Sequence, residues 1–295
     1  VNTGEALDPI PRERRVTVEP GVSLRTLEWG TPTDAHPSLV LVHGLASNAR
    51  LWDGMGATLA ARGWHAVAVD QRGHGQSDHP DHGYDFATIC HDLLTVIDHH
   101  DLTTPLVVGQ SWGGNVVVEL AWSHPDRILG AVAVDGGLIE LGERFEHWET
   151  CAEALRPPSL AGTPLDRFEA AIRAAHPDWP EAGVQGVLAS FEVLPDRTIR
   201  AHLTLERHLM ILRALWEHRP SQRFAEIIRP VMFVMADSGD VAWTHDKEAA
   251  ADQAIARLAR GRVTWFRPAH HDLHAQHPEA LTDEILGAWQ EGFFA

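Results

Sequence analysis

Residues 109–113 read Gly109-Gln110-Ser111-Trp112-Gly113, after an apolar run and before a stretch with helical spacing. A Gly-x-Ser-x-Gly turn between strand and helix forces its central residue into a strained backbone and lifts the side chain above the sheet edge. The flanking glycines remove the Cβ atoms that would clash where strand and helix pass closely. A serine hydroxyl is barely nucleophilic unless a neighbouring base takes its proton, so a histidine must come to Ser111 from elsewhere in the chain. Twenty histidines are available, and position therefore matters more than identity. The other role open to Ser111 is to cap the helix that follows it.

Further groups with chemical potential stand at the ends of apolar runs. They are His43-Gly44, the loop from Asp70 to Asp78, Asp135-Gly136-Gly137, Asp237-Ser238-Gly239-Asp240, and His270-His271-Asp272 ahead of His274, His277 and Pro278. His99-His100-Asp101 and His270-His271-Asp272 contain metal-ligand types. Adjacent side chains on one loop rarely chelate one ion well, so neither a metal site nor a cofactor is expected.

The elements that must position these groups alternate. A hairpin is expected over 14–29 around Pro20-Gly21, then strands at 38–43, 64–70, 106–109 and 128–135. Helices are expected over 51–61, 85–100 and 112–123; Phe86, Ile89, Cys90, Leu93, Leu94 and Ile97 recur at helical spacing in the second. Near-continuous Val/Ala/Leu strands alternating with helices predict an α/β fold with a mostly parallel central sheet and helices on both faces. From 138 to 228 the alternation stops. That segment offers helix-like stretches and no convincing strand, broken by Pro157-Pro158, Pro164, Pro177, Pro180 and Pro195. Alternation resumes with a strand at 230–235, a helix at 247–259, a strand at 262–266 and a last helix opened by Pro278. The chain therefore divides into a core, 1–137 and 229–295, and a helical insertion, 138–228.

Composition narrows the partners. A chain of 295 residues, 44% hydrophobic, can bury one large core. The formal charge of −17 argues against nucleic-acid backbones and anionic membrane surfaces. No apolar run approaches the roughly 20 residues of a membrane span. Residues 1–18 carry acids and arginines and lack the apolar core of a signal peptide. Cys90 and Cys151 both lie in helix-like stretches, which suits reduced, buried thiols. A cytoplasmic protein is the expectation; oligomeric state is left open.

In the order and spacing of these pieces the chain resembles the α/β-hydrolase family over nearly its whole length. The resemblance implies a triad running Ser, acid, His along the chain, with Ser111 as nucleophile. The family places its base seven residues before the proline that opens the final helix, which points to His271 rather than its neighbour His270. The acid usually follows the strand after the insertion; family spacing falls on Gly239, so Asp240 is the first choice, Asp237 the second and Asp135 the third. The backbone N–H groups of Leu45 and Trp112 would form the oxyanion hole. His43, Arg72, His74 and Asp78 would have structural roles. The insertion would act as a cap whose Trp148, Trp179, Trp216 and Met210, with Phe145, Phe168, Phe191, Leu205 and Leu209, border an apolar pocket, although packing of the cap helices against one another accounts for such residues as well.

The activity so implied is cleavage of a carboxylic ester or lactone, a small-molecule substrate with an apolar portion. Haloalkane dehalogenases and epoxide hydrolases place aspartate where Ser111 stands, and the sole tyrosine, Tyr84, lies outside the insertion, which disfavours both. Amide or peptide cleavage like that of proline iminopeptidases would be favoured by a cap acid such as Glu192 or Glu206. Carbon–carbon bond hydrolysis would need cationic groups near the substrate. A non-enzymatic ligand receptor is the remaining alternative.

Overall fold

The computed structural model describes residues 10–295. Residues 1–9, part of the expected core and of the segment read as leaderless, lie outside the described residues. In chain order the strands are β1 (Arg12–Glu19), β2 (Val22–Trp29), β3 (Leu39–Val42), β4 (Ala66–Val69), β5 (Leu106–Gln110), β6 (Gly130–Val134), β7 (Thr163–Pro164), β8 (Phe191–Val193), β9 (Thr198–Ala201), β10 (Val231–Ala236) and β11 (Gly261–Phe266). The helices are α1 (Asp53–Ala61), α2 (Phe86–His99), α3 (Trp112–Ser123), α4 (Leu141–Arg144), α5 (Trp148–Ala154), α6 (Leu165–Ala175), α7 (Glu181–Leu188), α8 (Leu205–Glu217), α9 (Val241–Arg257), α10 (Leu273–Gln276) and α11 (Pro278–Gln290).

Eight strands form one sheet in the order β1-β2-β4-β3-β5-β6-β10-β11. The β1–β2 hairpin and the β2–β4 pair are antiparallel, and every later pairing in this sheet is parallel. Successive strand side chains point to opposite faces, and β10 shows the consequence. Val231, Phe233 and Met235 enter one hydrophobic cluster, together with residues of α2 and α3. Met232, Val234 and Ala236 enter the other, with Met55 and Leu59 of α1 and Leu281 and Ile285 of α11. A strand buried on both faces has no polar alternation, which is why these runs read as continuous apolar segments.

The chain between β6 and β10 is inserted between strands that pair directly with each other. It differs from its expected all-helical character. β7, β8 and β9 form a three-stranded antiparallel sheet. Pro195 does not simply break the chain there: Leu194 N–H donates to Thr198 O at 2.8 Å, Asp196 Oδ1 accepts from Thr198 N–H at 3.0 Å, and Arg197 takes a left-handed φ of 62°. That turn makes a hairpin of two strands too short to show a period of two.

α9 also begins earlier than expected. Asp240 caps it, and its first turn exposes Val241 and Trp243, so no apolar stripe announces its start. Cys90 and Cys151 are buried free thiols. Among the described residues no helix is long and apolar enough to cross a membrane.

Candidate active site

Ser111 stands between β5 and α3 with φ 54° and ψ −120°, a backbone conformation that L residues rarely adopt. The glycines around it are required by contact. A Cβ on Gly109 would lie 2.0 Å from Gly113 O, and one on Gly113 would lie 2.4 Å from Val42 O. The Ser111 side chain makes no capping bond to α3. Its hydroxyl is therefore not committed to the helix, the role that competed with nucleophile in the sequence.

His271 follows β11, on the loop that leads into α10. Its Nδ1 meets Asp135 Oδ2 at 2.6 Å. His270 is turned elsewhere: its N–H donates to Gln276 Oε1 at 2.8 Å, and its ring stands edge-on to His176. Asp135 follows β6, the strand between those that carry Ser111 and Asp240, and has a left-handed φ of 41°. Its Oδ1 accepts from Ala236 N–H at 3.0 Å and from Lys247 Nζ at 2.8 Å. Burial pushes the Asp135 carboxyl up, but the hydrogen bond from His271 and the charges of His271 and Lys247 outweigh it and hold the group below the usual carboxylate range. For His271, the surrounding protein pulls the imidazole down, yet the bond to Asp135 and the charges of Asp272 and Asp135 prevail. The result is a pKa raised above 6.5, although the ring stays half exposed on its cleft side.

Asp240, the acid expected first, is therefore corrected. It sits exposed at the start of α9, where its carboxylate accepts from Trp243 N–H at 3.1 Å. Asp237 accepts from Gly239 N–H and from Thr244 Oγ1, each at 2.8 Å. The turn between β10 and α9 uses both carboxylates to start α9. Asp135, one strand nearer Ser111, is the carboxylate that meets His271.

The loop after β3 lies beside the serine. A Cβ on Gly44 would be 2.4 Å from Gln110 Oε1 and 3.0 Å from Ser111 Cβ. The N–H groups of Leu45 and Trp112 donate to no acceptor among the described residues, so both are free to meet a developing oxyanion. His43 is buried; burial lowers its pKa to about 4, its Nδ1 bonds Gly44 O at 2.7 Å and its Nε2 accepts from Gln71 N–H at 3.0 Å. With both nitrogens occupied it cannot act as a second base. His74 Nε2 accepts from Ala46 N–H at 3.2 Å, which ties the Leu45 loop to the next one. Arg72 forks onto Asp92 of α2 at 2.6 and 2.7 Å, and Asp78 accepts from Ser23 N–H at 2.8 Å.

Ser111 and His271 line one cavity of ≈ 220 Å³, together with Leu45, Ala46, Ser47, Leu51, Gln110 and Asp272 from the core and Val187, Ser190 and Phe191 from the insertion. Of the insertion residues expected at a pocket, Phe191 lines it, while Trp148, Trp179, Trp216 and Met210 do not. Trp148 and Trp216 pack against each other and under Arg213, with Trp216 Nε1 bonded to Phe145 O at 2.8 Å. Trp179 is buried among Val184, Leu51 and Ala275, and Met210 is exposed. Trp179 thus excludes water between the insertion and the core, while Trp148 and Trp216 are half-buried against each other. Glu192 pairs with Arg200, and neither Glu192 nor Glu206 reaches the cavity. Among the described residues no arginine or lysine lines it, and no group of three or more metal-ligating side chains is assembled.

Sequence reasoning missed Ala46, Ser47, Leu51, Gln110, Val187, Ser190 and Asp272 as lining, and Lys247 as a partner of Asp135. None of these carried a signal in local spacing.

The family model described as the alpha/beta hydrolase fold matches residues 37–179. A non-heme chloroperoxidase of Streptomyces lividans is 25% identical over 282 residues, which cover 92% of this chain and 97% of that protein. Epoxide hydrolase B of Mycobacterium tuberculosis is 32% identical over 116 residues, 39% of this chain; that match spans only 33% of the relative's length. Among solved structures, E-2-(acetamidomethylene)succinate hydrolase superposes with a TM-score of 0.78 at 22% identity, covering 95% of this chain and 99% of the other.

Proposed function

We propose that this chain, which has the α/β-hydrolase fold, is a serine hydrolase that cleaves a small carboxylic ester or lactone by acyl transfer. The observation that carries this reading is the convergence of Ser111, on a strained strand-to-helix turn, with an His271–Asp135 pair at the same cavity.

In the proposed mechanism Ser111 Oγ attacks the carbonyl carbon while His271 Nε2 takes its proton. Asp135 holds Nδ1 and stabilises the imidazolium that forms. The carbonyl oxygen becomes an oxyanion facing the N–H groups of Leu45 and Trp112, at the positive end of α3. When the tetrahedral adduct collapses, the C–O bond to the alcohol breaks and His271 returns the proton to that oxygen. In a lactone the alcohol stays tethered to the acyl group. Water, deprotonated by His271, then attacks the acyl-enzyme and frees Ser111. Residues 138–228 act as a cap in this reading, which their Val187, Ser190 and Phe191 support by closing one side of the cavity.

The absence of arginine and lysine from the lining argues against the carbon–carbon hydrolase alternative and against a polyanionic substrate. Glu192 and Glu206 stand away from the cavity, which removes the feature that would favour an aminopeptidase. The test is hydrolysis of p-nitrophenyl acetate by wild type and Ser111→Ala, with phosphonate labelling mapped by mass spectrometry. Wild type should turn over repeatedly, Ser111→Ala should lose at least about a thousandfold in kcat, and the label should map to Ser111. Equal rates, or a label elsewhere, would sink the serine mechanism.

A further inference from the structure

Lys247 is the sole lysine of the chain, and the mechanism above gives it no task. It lies on the second turn of α9, with its side chain only 14% exposed. Its Nζ meets Asp135 Oδ1 at 2.8 Å and also donates to Ala236 O at the end of β10. Ala236 N–H reaches the same Oδ1 at 3.0 Å. One carboxylate oxygen thus takes two donors from β10 and α9, while the other takes His271 Nδ1 at 2.6 Å. The carboxylate cannot turn about its Cβ–Cγ bond without losing all three.

We propose that Lys247 is a positioning residue of the active site. Its ammonium, with Ala236 N–H, locks Oδ1 of Asp135 so that Oδ2 stays aimed at His271, and its charge opposes the negative field behind the base. The proposal rests on the assignment of Ser111, His271 and Asp135 as the reacting groups.

The charged and titratable surroundings make it testable. His271 faces Asp135 from the end of β6, Asp272 from its own loop and Lys247 from α9, with His274 behind it on α10. Asp237, after β10, faces Lys247 from the side of α9. Two carboxylates favour the imidazolium and Lys247 opposes it; the balance lies on the raised side of 6.5. Attack requires the neutral imidazole. A raised pKa keeps the ring protonated to higher pH, so wild-type activity should fall with acidity at a midpoint above 6.5. Removing Lys247 leaves the carboxylates unopposed and moves that midpoint further towards alkaline pH.

The experiment is the rate of Ser111 labelling by a fluorophosphonate probe between pH 5 and 9, alongside kcat for p-nitrophenyl acetate. Circular dichroism melts establish that each variant is folded. Lys247→Met should lower kcat by about 10–100-fold, about 1.4–2.7 kcal/mol of transition-state stabilisation, and raise the acidic midpoint by about 0.5–1 pH unit. Lys247→Arg should keep the wild-type midpoint because it keeps the charge. If Lys247→Met does not fold, Lys247→Gln carries the same comparison against Lys247→Arg.

A residue that merely fastens α9 to β10 would change the melt and leave the midpoint alone. An unmoved midpoint in a folded neutral variant, or the same shift in Lys247→Arg, overturns the proposal. Unchanged turnover in Ser111→Ala would instead overturn the serine mechanism beneath it, so the two failures are distinct.

Discussion

Two residues with left-handed backbone, Ser111 at φ 54° and Asp135 at φ 41°, stand at the carboxyl ends of the adjacent strands β5 and β6. Each such residue costs on the order of 1–3 kcal/mol, which persists only where the surroundings over-determine it. At Ser111 those surroundings are the glycine contacts with β3 and α3; at Asp135 they are Ala236 N–H, Lys247 and His271. Replacing Asp135 alters a member of that set, whereas Asp240→Asn keeps a capping oxygen at an exposed helix start. Asp135→Asn should therefore lower kcat for p-nitrophenyl acetate by about 10³–10⁴-fold, and Asp240→Asn should lower it by less than about threefold, the kinetic equivalent of about 0.65 kcal/mol. Steady-state kinetics on the two variants checks this, and the reverse order would return the acid to the strand after the insertion.

Among the elements, the β5–α3 junction is the most tightly constrained. α3 crosses β3 and β5 so closely that a Cβ on Gly113 would meet Val42 O at 2.4 Å and His43 O at 2.6 Å, both backbone atoms that cannot swing aside. Gly113→Ala should destabilise the fold by about 1–3 kcal/mol through overpacking, read as a lower urea midpoint at unchanged slope. An unaltered midpoint would mean that the helix can lift from the sheet at little cost. The order of these elements was legible because each strand of the parallel sheet is a continuous apolar run and each helix between them has its own period. The insertion was less so. Its three short strands carry too few residues for alternation, and its helices bury tryptophans against one another rather than towards a cavity.

For the molecule as a whole, the cavity is where the core and the insertion meet. At ≈ 220 Å³ it falls below the roughly 300–1,000 Å³ of sites that take drug-sized ligands, and it mixes apolar walls with Ser47, Ser190, Gln110 and Asp272. A space of that size favours a short acyl group. Among p-nitrophenyl esters, kcat/KM should be highest for acetate to butyrate and fall at least about tenfold by octanoate, the cost of roughly 1.4 kcal/mol of lost transition-state fit. A rising series would show that the insertion swings away from the core during turnover.

The sequence by itself determined the succession of strands and helices along the chain, and it pointed to the serine turn and the histidine loop. Each of these is written in local spacing: glycines around Ser111, seven residues between His271 and Pro278, and apolar runs bounded by turns. What only the tertiary structure decided is which distant groups meet. Asp135 rather than Asp240 reaches His271 because β6 lies between β5 and β10, and the sole lysine reaches Asp135 because α9, capped by Asp240, brings its second turn to the end of β10. Side-chain partnership across strand ends depends on sheet order and helix register. Neither leaves a mark in the spacing of neighbouring residues.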